Sequence, residues 1–132
     1  MAALDTNILV RFLVRDEAAQ LAAARKLIRR CMSQGQTLFV PVTVSLELEW
    51  VLRSNFGFDK DAVVRTLSQL LSSAELSFES EGALEIALLR YQEGAADYSD
   101  CMHVALAAQA GEQPLWTFDK AAARLDGARL VA

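Results

Sequence analysis

Cysteine is scarce in this chain: only Cys31 and Cys101 are present. They are too widely spaced for a metal knuckle or a redox motif, and two thiols make no disulfide framework. Both are expected as small buried apolar residues. Histidine is scarcer still, and a single His103 makes Ser-His-Asp or Cys-His nucleophilic catalysis unattractive. The six glycines are scattered, so neither a phosphate-cradling loop nor a dinucleotide fingerprint is present. No apolar run approaches the roughly 18 residues of a membrane span. The opening Met1-Ala2-Ala3-Leu4-Asp5-Thr6-Asn7 lacks the basic and apolar segments of a secretory signal, so the expected location is the cytoplasm. Repeats, low-complexity tracts and interdomain linkers are also missing.

What is there is core material. The chain has 132 residues, 53% of them hydrophobic and 23% charged, which is expected to make one domain with one substantial core. The formal net charge of −4 argues against a nucleic-acid partner when taken alone. That objection weakens if several carboxylates converge on divalent cations, because the local potential then inverts.

Short apolar runs end in an acid or a turn: Ala2–Leu4 before Asp5, Leu38–Val40 before Pro41, Leu76–Phe78 before Glu79, and Leu115–Phe118 before Asp119. Ala128–Val131 closes the chain. Each has the length of a buried parallel strand. Helical periods lie between them. Asp16 is expected to cap a helix to about Gln34, with Gly35 as its stop, and Thr43–Asn55 reads as a helix ending before Gly57. Asp59 opens another to about Ser72, Ser80 caps Glu81–Gln92, and Asp97–Ala110 stops at Gly111. Alternating strands and helices predict an α/β fold with a central, mostly parallel sheet covered on both faces, a three-layer sandwich. Such folds place ligands beyond the carboxyl ends of their strands.

The acids are therefore read by position. Asp5 ends the first run; it either caps a helix or presents a carboxylate to a metal. Glu47 has Thr43, Val44, Trp50 and Val51 as helical neighbours, so it is expected in a mostly apolar face, either paired or ligating metal. Glu49 stands four residues before Arg53, the favourable order for an exposed ion pair, and is expected at the surface. Asp97 and Asp100 share one helical face near an N-terminus, where acids favour the helix dipole and also suit a cation. Asp119 follows the fourth run and either caps a short Ala121–Leu125 helix or supplies a second strand-end carboxylate. Hard divalent cations prefer oxygen ligands of this kind.

Together these residues resemble the PIN-domain family. Leu4-Asp5-Thr6-Asn7-Ile8-Leu9-Val10 looks like its opening motif, and Leu46-Glu47-Leu48-Glu49-Trp50-Val51-Leu52-Arg53 like its second, with Glu47 in the acidic position. Ala96-Asp97-Tyr98-Ser99-Asp100 resembles the third, with Asp100 as the main acid and Asp97 accompanying it, and Thr117-Phe118-Asp119 the fourth. Length and motif wording are most similar to VapC toxins of bacterial toxin–antitoxin pairs.

The resemblance implies an endoribonuclease that hydrolyses RNA phosphodiester bonds with Mg²⁺ or Mn²⁺, one ion or two. Asp5, Glu47, Asp100 and Asp119 would be catalytic, with Asp5, Asp97, Asp100 and Asp119 on metal. It further implies a homodimer and a small VapB-like antitoxin. Phe56, Phe58 and Leu67, with Trp50 nearby, are candidates for surface apolar contacts; core packing is the other reading, and the expected one for Trp50. Thr6, Asn7 and Thr117 adjoin the acids and either hold waters or make ordinary turns. Arg11, Arg15 and Lys120 are the expected phosphate contacts; Arg25-Lys26, Arg29-Arg30 and Arg124 are further basic residues. His103 is expected as a half-buried helical residue outside the site. Two other readings stand beside this one: a receiver-like Mg²⁺-binding regulatory domain, and a non-catalytic PIN-like interaction module.

Overall fold

A computed structural model describes residues 2–132. Contacts group these residues into two units, 1–79 and 80–132.

In the first unit, strand β1 (Ala2–Ala3) leads into helix α1 (Thr6–Val14) and helix α2 (Ala18–Ser33). Strand β2 (Leu38–Val40), helix α3 (Val42–Phe56), helix α4 (Lys60–Leu71) and strand β3 (Leu76–Phe78) follow. The sheet order is β1-β2-β3, all parallel, with Ala2 opposite Leu38 and Leu38 opposite Leu76. Parallel neighbours require helical crossovers, and the two pairs of helices provide them. Leu4, Leu9, Val10, Leu38, Val40, Leu48, Leu52, Val63 and Leu67 are buried almost completely. Each fully buried leucine contributes roughly 1.5–3 kcal/mol.

In the second unit, helix α5 (Glu81–Glu93) and helix α6 (Tyr98–Gln109) precede strand β4 (Leu115–Thr117). A 3-10 turn at Ala122–Arg124 and strand β5 (Ala128–Leu130) complete it. β4 and β5 pair in parallel, Trp116 opposite Arg129. Leu84, Ala87, Leu88, Tyr91, Tyr98, Cys101 and Met102 form its buried centre, with the Tyr91 and Tyr98 rings 5.6 Å apart and tilted.

The α/β class and the parallel strands follow the sequence reading, but the strands pair as three and two within their units. Three expected strands lose their last residue: Leu4, Phe118 and Val131 lie outside the ladders. Helix α1 was not expected. From Ile8 to Val14 its sequence is apolar except for Arg11, and periodicity is blind to so short an apolar run. Asp16 does not cap α2; Glu17 does, while Asp16 pairs with Arg11. Ser80 occupies the N-cap position of α5 in a left-handed conformation (φ 55°) without a side-chain cap bond, and its hydroxyl accepts from Gln109 instead. Gly57, in the left-handed region at φ 70°, ends α3 by sending its N–H to the Leu52 carbonyl. Both cysteines are buried and unbridged. No helix among the described residues is long and apolar enough to cross a membrane.

Candidate active site

The first unit carries Asp5 and Glu47. Asp5 is the N-cap of α1: its Oδ1 accepts the Thr6 N–H at 2.7 Å. The cap engages one carboxylate oxygen, and the side chain stays exposed. Thr6 is buried, and its hydroxyl donates to the Glu47 carboxylate across 41 residues of sequence. This bond ties the opening motif to the second one. It fixes the direction of Glu47, which itself is exposed on α3.

That exposure reverses an expectation. Glu49, not Glu47, is the buried acid of α3, at 6% exposure, and it accepts from Arg53 Nε at 2.8 Å. The ion pair has the anticipated spacing, but its carboxylate is buried while the Arg53 side chain stays exposed. Trp50, expected in the core, is 54% exposed, whereas Leu67, one of the candidate surface contacts, takes the alternative of core packing. Phe56 and Phe58 are half-buried. For Glu47, Glu49 and Trp50 this is one rotation of α3, whereas Leu67 lies on α4. Glu47 and Glu49 lie about 200° apart around a helix of 3.6 residues per turn, so turning one outward turns the other in. The face of Glu49 holds Leu46 and Leu52 beside Ser45 and Arg53, so it too offers apolar neighbours, and in Arg53 it offers the partner that a buried carboxylate needs.

The second unit carries Asp97, Asp100 and Asp119. Asp97 is the N-cap of α6; its Oδ1 accepts from the Asp100 N–H at 2.9 Å and the Ser99 hydroxyl at 3.0 Å. Burial works to raise its carboxyl. The bonds from the Asp100 backbone, the Ser99 hydroxyl and the Asp100 side chain, with the charge of His103, outweigh that and hold it below the usual carboxylate range. Asp100 moves the other way. Burial, the Asp97 charge and hydrogen bond, and the Asp119 charge all raise it, and His103 offsets only part of this. Asp119 follows β4. Its N–H donates to Thr117 Oγ1 at 3.0 Å, and its Oδ1 accepts from Ala122 N–H at 2.9 Å, capping the 3-10 turn. Three carboxylates of one unit thus share a field that disfavours the ionised form of Asp100.

His103, expected half-buried, is exposed one turn beyond Asp100, and its charge reaches both Asp97 and Asp100. The i, i+3 spacing was the available signal. Arg11 donates to Asp16 and to Gln20, each at 2.6 Å, and with Asn7 lines a groove of about 400 Å³ between α1 and α2. Arg15 closes α1 in a left-handed conformation, its guanidinium on the Phe12 carbonyl. Lys120 is exposed directly after Asp119.

Oxygen donors carrying surplus negative charge fit a hard divalent cation in chemistry and in sign. Among the described residues, however, no three His, Cys, Asp or Glu side chains are already arranged as a metal-ligand group. Asp5, Asp97 and Asp119 are anchored by capping bonds, each through one oxygen.

The PIN domain family model matches residues 2–128, which includes every acid named above. The chain belongs to the PIN domain family. A relative, the VapC ribonuclease of Aquifex aeolicus (strain VF5), is 22% identical over 120 residues, covering 91% of this chain and 88% of that protein. Membership in the PIN family sets the receiver-like reading aside.

Proposed function

We propose that the chain is a metal-dependent endoribonuclease, the VapC-type toxin of a toxin–antitoxin pair, using Mg²⁺ or Mn²⁺. The observation that carries this is the PIN domain match over residues 2–128, which spans Asp5, Glu47, Asp97, Asp100 and Asp119; burial and the charges of Asp97 and Asp119, which oppose the ionised form of Asp100, accord with it. An electrostatic centre of this kind is relieved by a cation. PIN-family membership and the similarity to a VapC ribonuclease supply the substrate class.

In this reading Asp5, Glu47, Asp100 and Asp119 are the catalytic acids. Asp100, Asp119 and Asp5 would hold the metal, with Asp97, which caps α6, as an additional ligand. A divalent cation held there would supply Lewis acidity, lowering the pKa of a water and offsetting charge on the phosphoryl oxygens. Glu47, aimed by the Thr6 hydroxyl, orients the attacking water and accepts its proton. Asn7 and Thr117 support the acids beside them, Thr117 through the Asp119 N–H. Lys120 is the better phosphate contact, since the charge of Arg11 is already met by Asp16. A VapB-like antitoxin and a second copy of the chain are the proposed partners, in the cytoplasm.

The test is cleavage of total cellular RNA by the purified chain, followed by sequencing of the new 5′ ends. Cleavage at defined positions that stops with EDTA and returns with Mg²⁺ or Mn²⁺ supports the proposal. Cleavage indifferent to chelation, or none under any divalent ion, overturns it and favours a non-catalytic interaction module.

A further inference from the structure

Phe118 and Trp116 are the two most exposed large apolar side chains of the described residues, at 82% and 58%. They stand two residues apart, Trp116 on β4 and Phe118 just past its end. Alternate residues of extended chain face the same side, and here Leu115 and Thr117 between and before them are more covered. Arg129 lies opposite Trp116 in the ladder, and its guanidinium carbon sits 5.6 Å from the centroid of the Trp116 ring. Asp119 and Lys120 come next along the chain. An aromatic face with a stacked guanidinium therefore ends at one of the acids.

We infer that Trp116 and Phe118, with Arg129, form a stacking platform that holds unstacked bases of single-stranded RNA beside the acids; this rests on the ribonuclease reading. Flat, exposed rings are costly to leave in water, but every nucleobase offers a π-face to cover them. The guanidinium over Trp116 keeps its edge N–H groups available for phosphate oxygen while its plane is used by the ring. Charge gives a second reason. The chain has a formal net charge of −4, and Arg11 and Arg53 are held by Asp16 and Glu49. Affinity from phosphate neutralisation is thus limited. Base stacking does not depend on net charge and supplies what the basic residues do not. Phe118 acts here as a substrate-positioning residue, setting which nucleotide lies next to Asp119.

The test uses short unstructured single-stranded RNA with Mg²⁺ present. Steady-state cleavage is measured for the wild type, Phe118→Ala, Phe118→Leu and Phe118→Tyr. Quenching of indole fluorescence by the same RNA is followed in a Trp50→Phe background, where Trp116 is the remaining tryptophan. The expected result is a KM raised about tenfold or more in Phe118→Ala, with kcat little changed. Phe118→Tyr restores KM and Phe118→Leu does not, because leucine keeps the apolar contact but has no π-face. RNA quenches Trp116. Cleavage by the wild type with no quenching and an unaltered Phe118→Ala overturns the platform and leaves the nuclease reading intact. Quenching without cleavage keeps the platform and overturns the nuclease. Full function in Phe118→Leu, or a loss of self-association in Phe118→Ala, assigns the face to a second copy of the chain and overturns the platform. An RNA that is neither bound nor cut overturns both.

Discussion

The two units hold their acids in opposite ways. In the first, each has a donor: Asp5 takes the Thr6 N–H and Glu47 takes the Thr6 hydroxyl, so one residue serves both. In the second, Asp97 collects most of the donors, and Asp100 is left facing two carboxylates with only His103 to offset them. The difference separates two tasks. The first unit fixes the direction of an acid. The second gathers carboxylates, and burial together with the charges of Asp97 and Asp119 disfavours the ionised form of Asp100.

The strongest way to break this comparison is to remove the accumulated charge. Asp100→Asn is expected to lower RNA cleavage by on the order of a hundredfold or more, since even residues that merely support metal ligands cost about ten- to a hundredfold. The same variant is expected to melt higher than the wild type at neutral pH. A carboxyl raised in the folded state stabilises while protonated, and that contribution disappears as pH rises through its folded value. The melting difference should therefore open above the carboxylate range and close below it, which calorimetry across pH will show. A variant that melts lower at neutral pH contradicts the charge reading.

Thr6→Val sharpens the other half. It keeps the volume of a buried side chain and deletes the donor to Glu47. A fall in kcat of about ten- to a hundredfold, with metal affinity little altered, is expected for loss of an orienting bond. An unchanged kcat would remove Glu47 from the proton-transfer role.

Asp97→Ala tests the division of labour within the second unit. The cap of α6 is lost, which costs about 1 kcal/mol of stability in denaturant unfolding. Because the Asp97 carboxyl is held low, its stabilisation is present above the usual carboxylate range and is lost as pH falls through the lowered value. The gap between variant and wild type should thus narrow in acid. The smallest effect is expected for Arg11→Ala. Its exposed pair with Asp16 contributes roughly 0–1 kcal/mol, and RNA cleavage should stay within about twofold. A large loss would return Arg11 to the phosphate-binding set.

Much of the fold was legible in the sequence where chemistry at an element's end is local. Leu38–Val40 and Leu76–Phe78 are strands as read, and Asp59 and Asp97 cap the helices they open. Gly57 stops α3 for the same kind of reason. What was hidden depends on distant residues. The N-terminus of α3 begins at Pro41 with no side-chain cap, and the missing acceptor is Glu79, which takes the Val42 N–H at 2.8 Å. The phase of α3 is set by what packs on it, so Glu47 and Glu49 exchanged environments. Asp5, Asp97 and Asp119 were legible as helix-start residues and as family motif positions at once. Those readings are compatible, because each cap uses a single carboxylate oxygen. The exposed rings at Trp116 and Phe118 went unread, since an apolar strand pattern does not say which face stays bare.

Manganese uptake puts the cation-seeking role of the second unit to the most direct trial. Titration of the wild type and Asp100→Asn with Mn²⁺, followed by electron paramagnetic resonance, should show binding by the wild type and at least about tenfold weaker binding by the variant. Equal affinity in the two proteins would contradict the account.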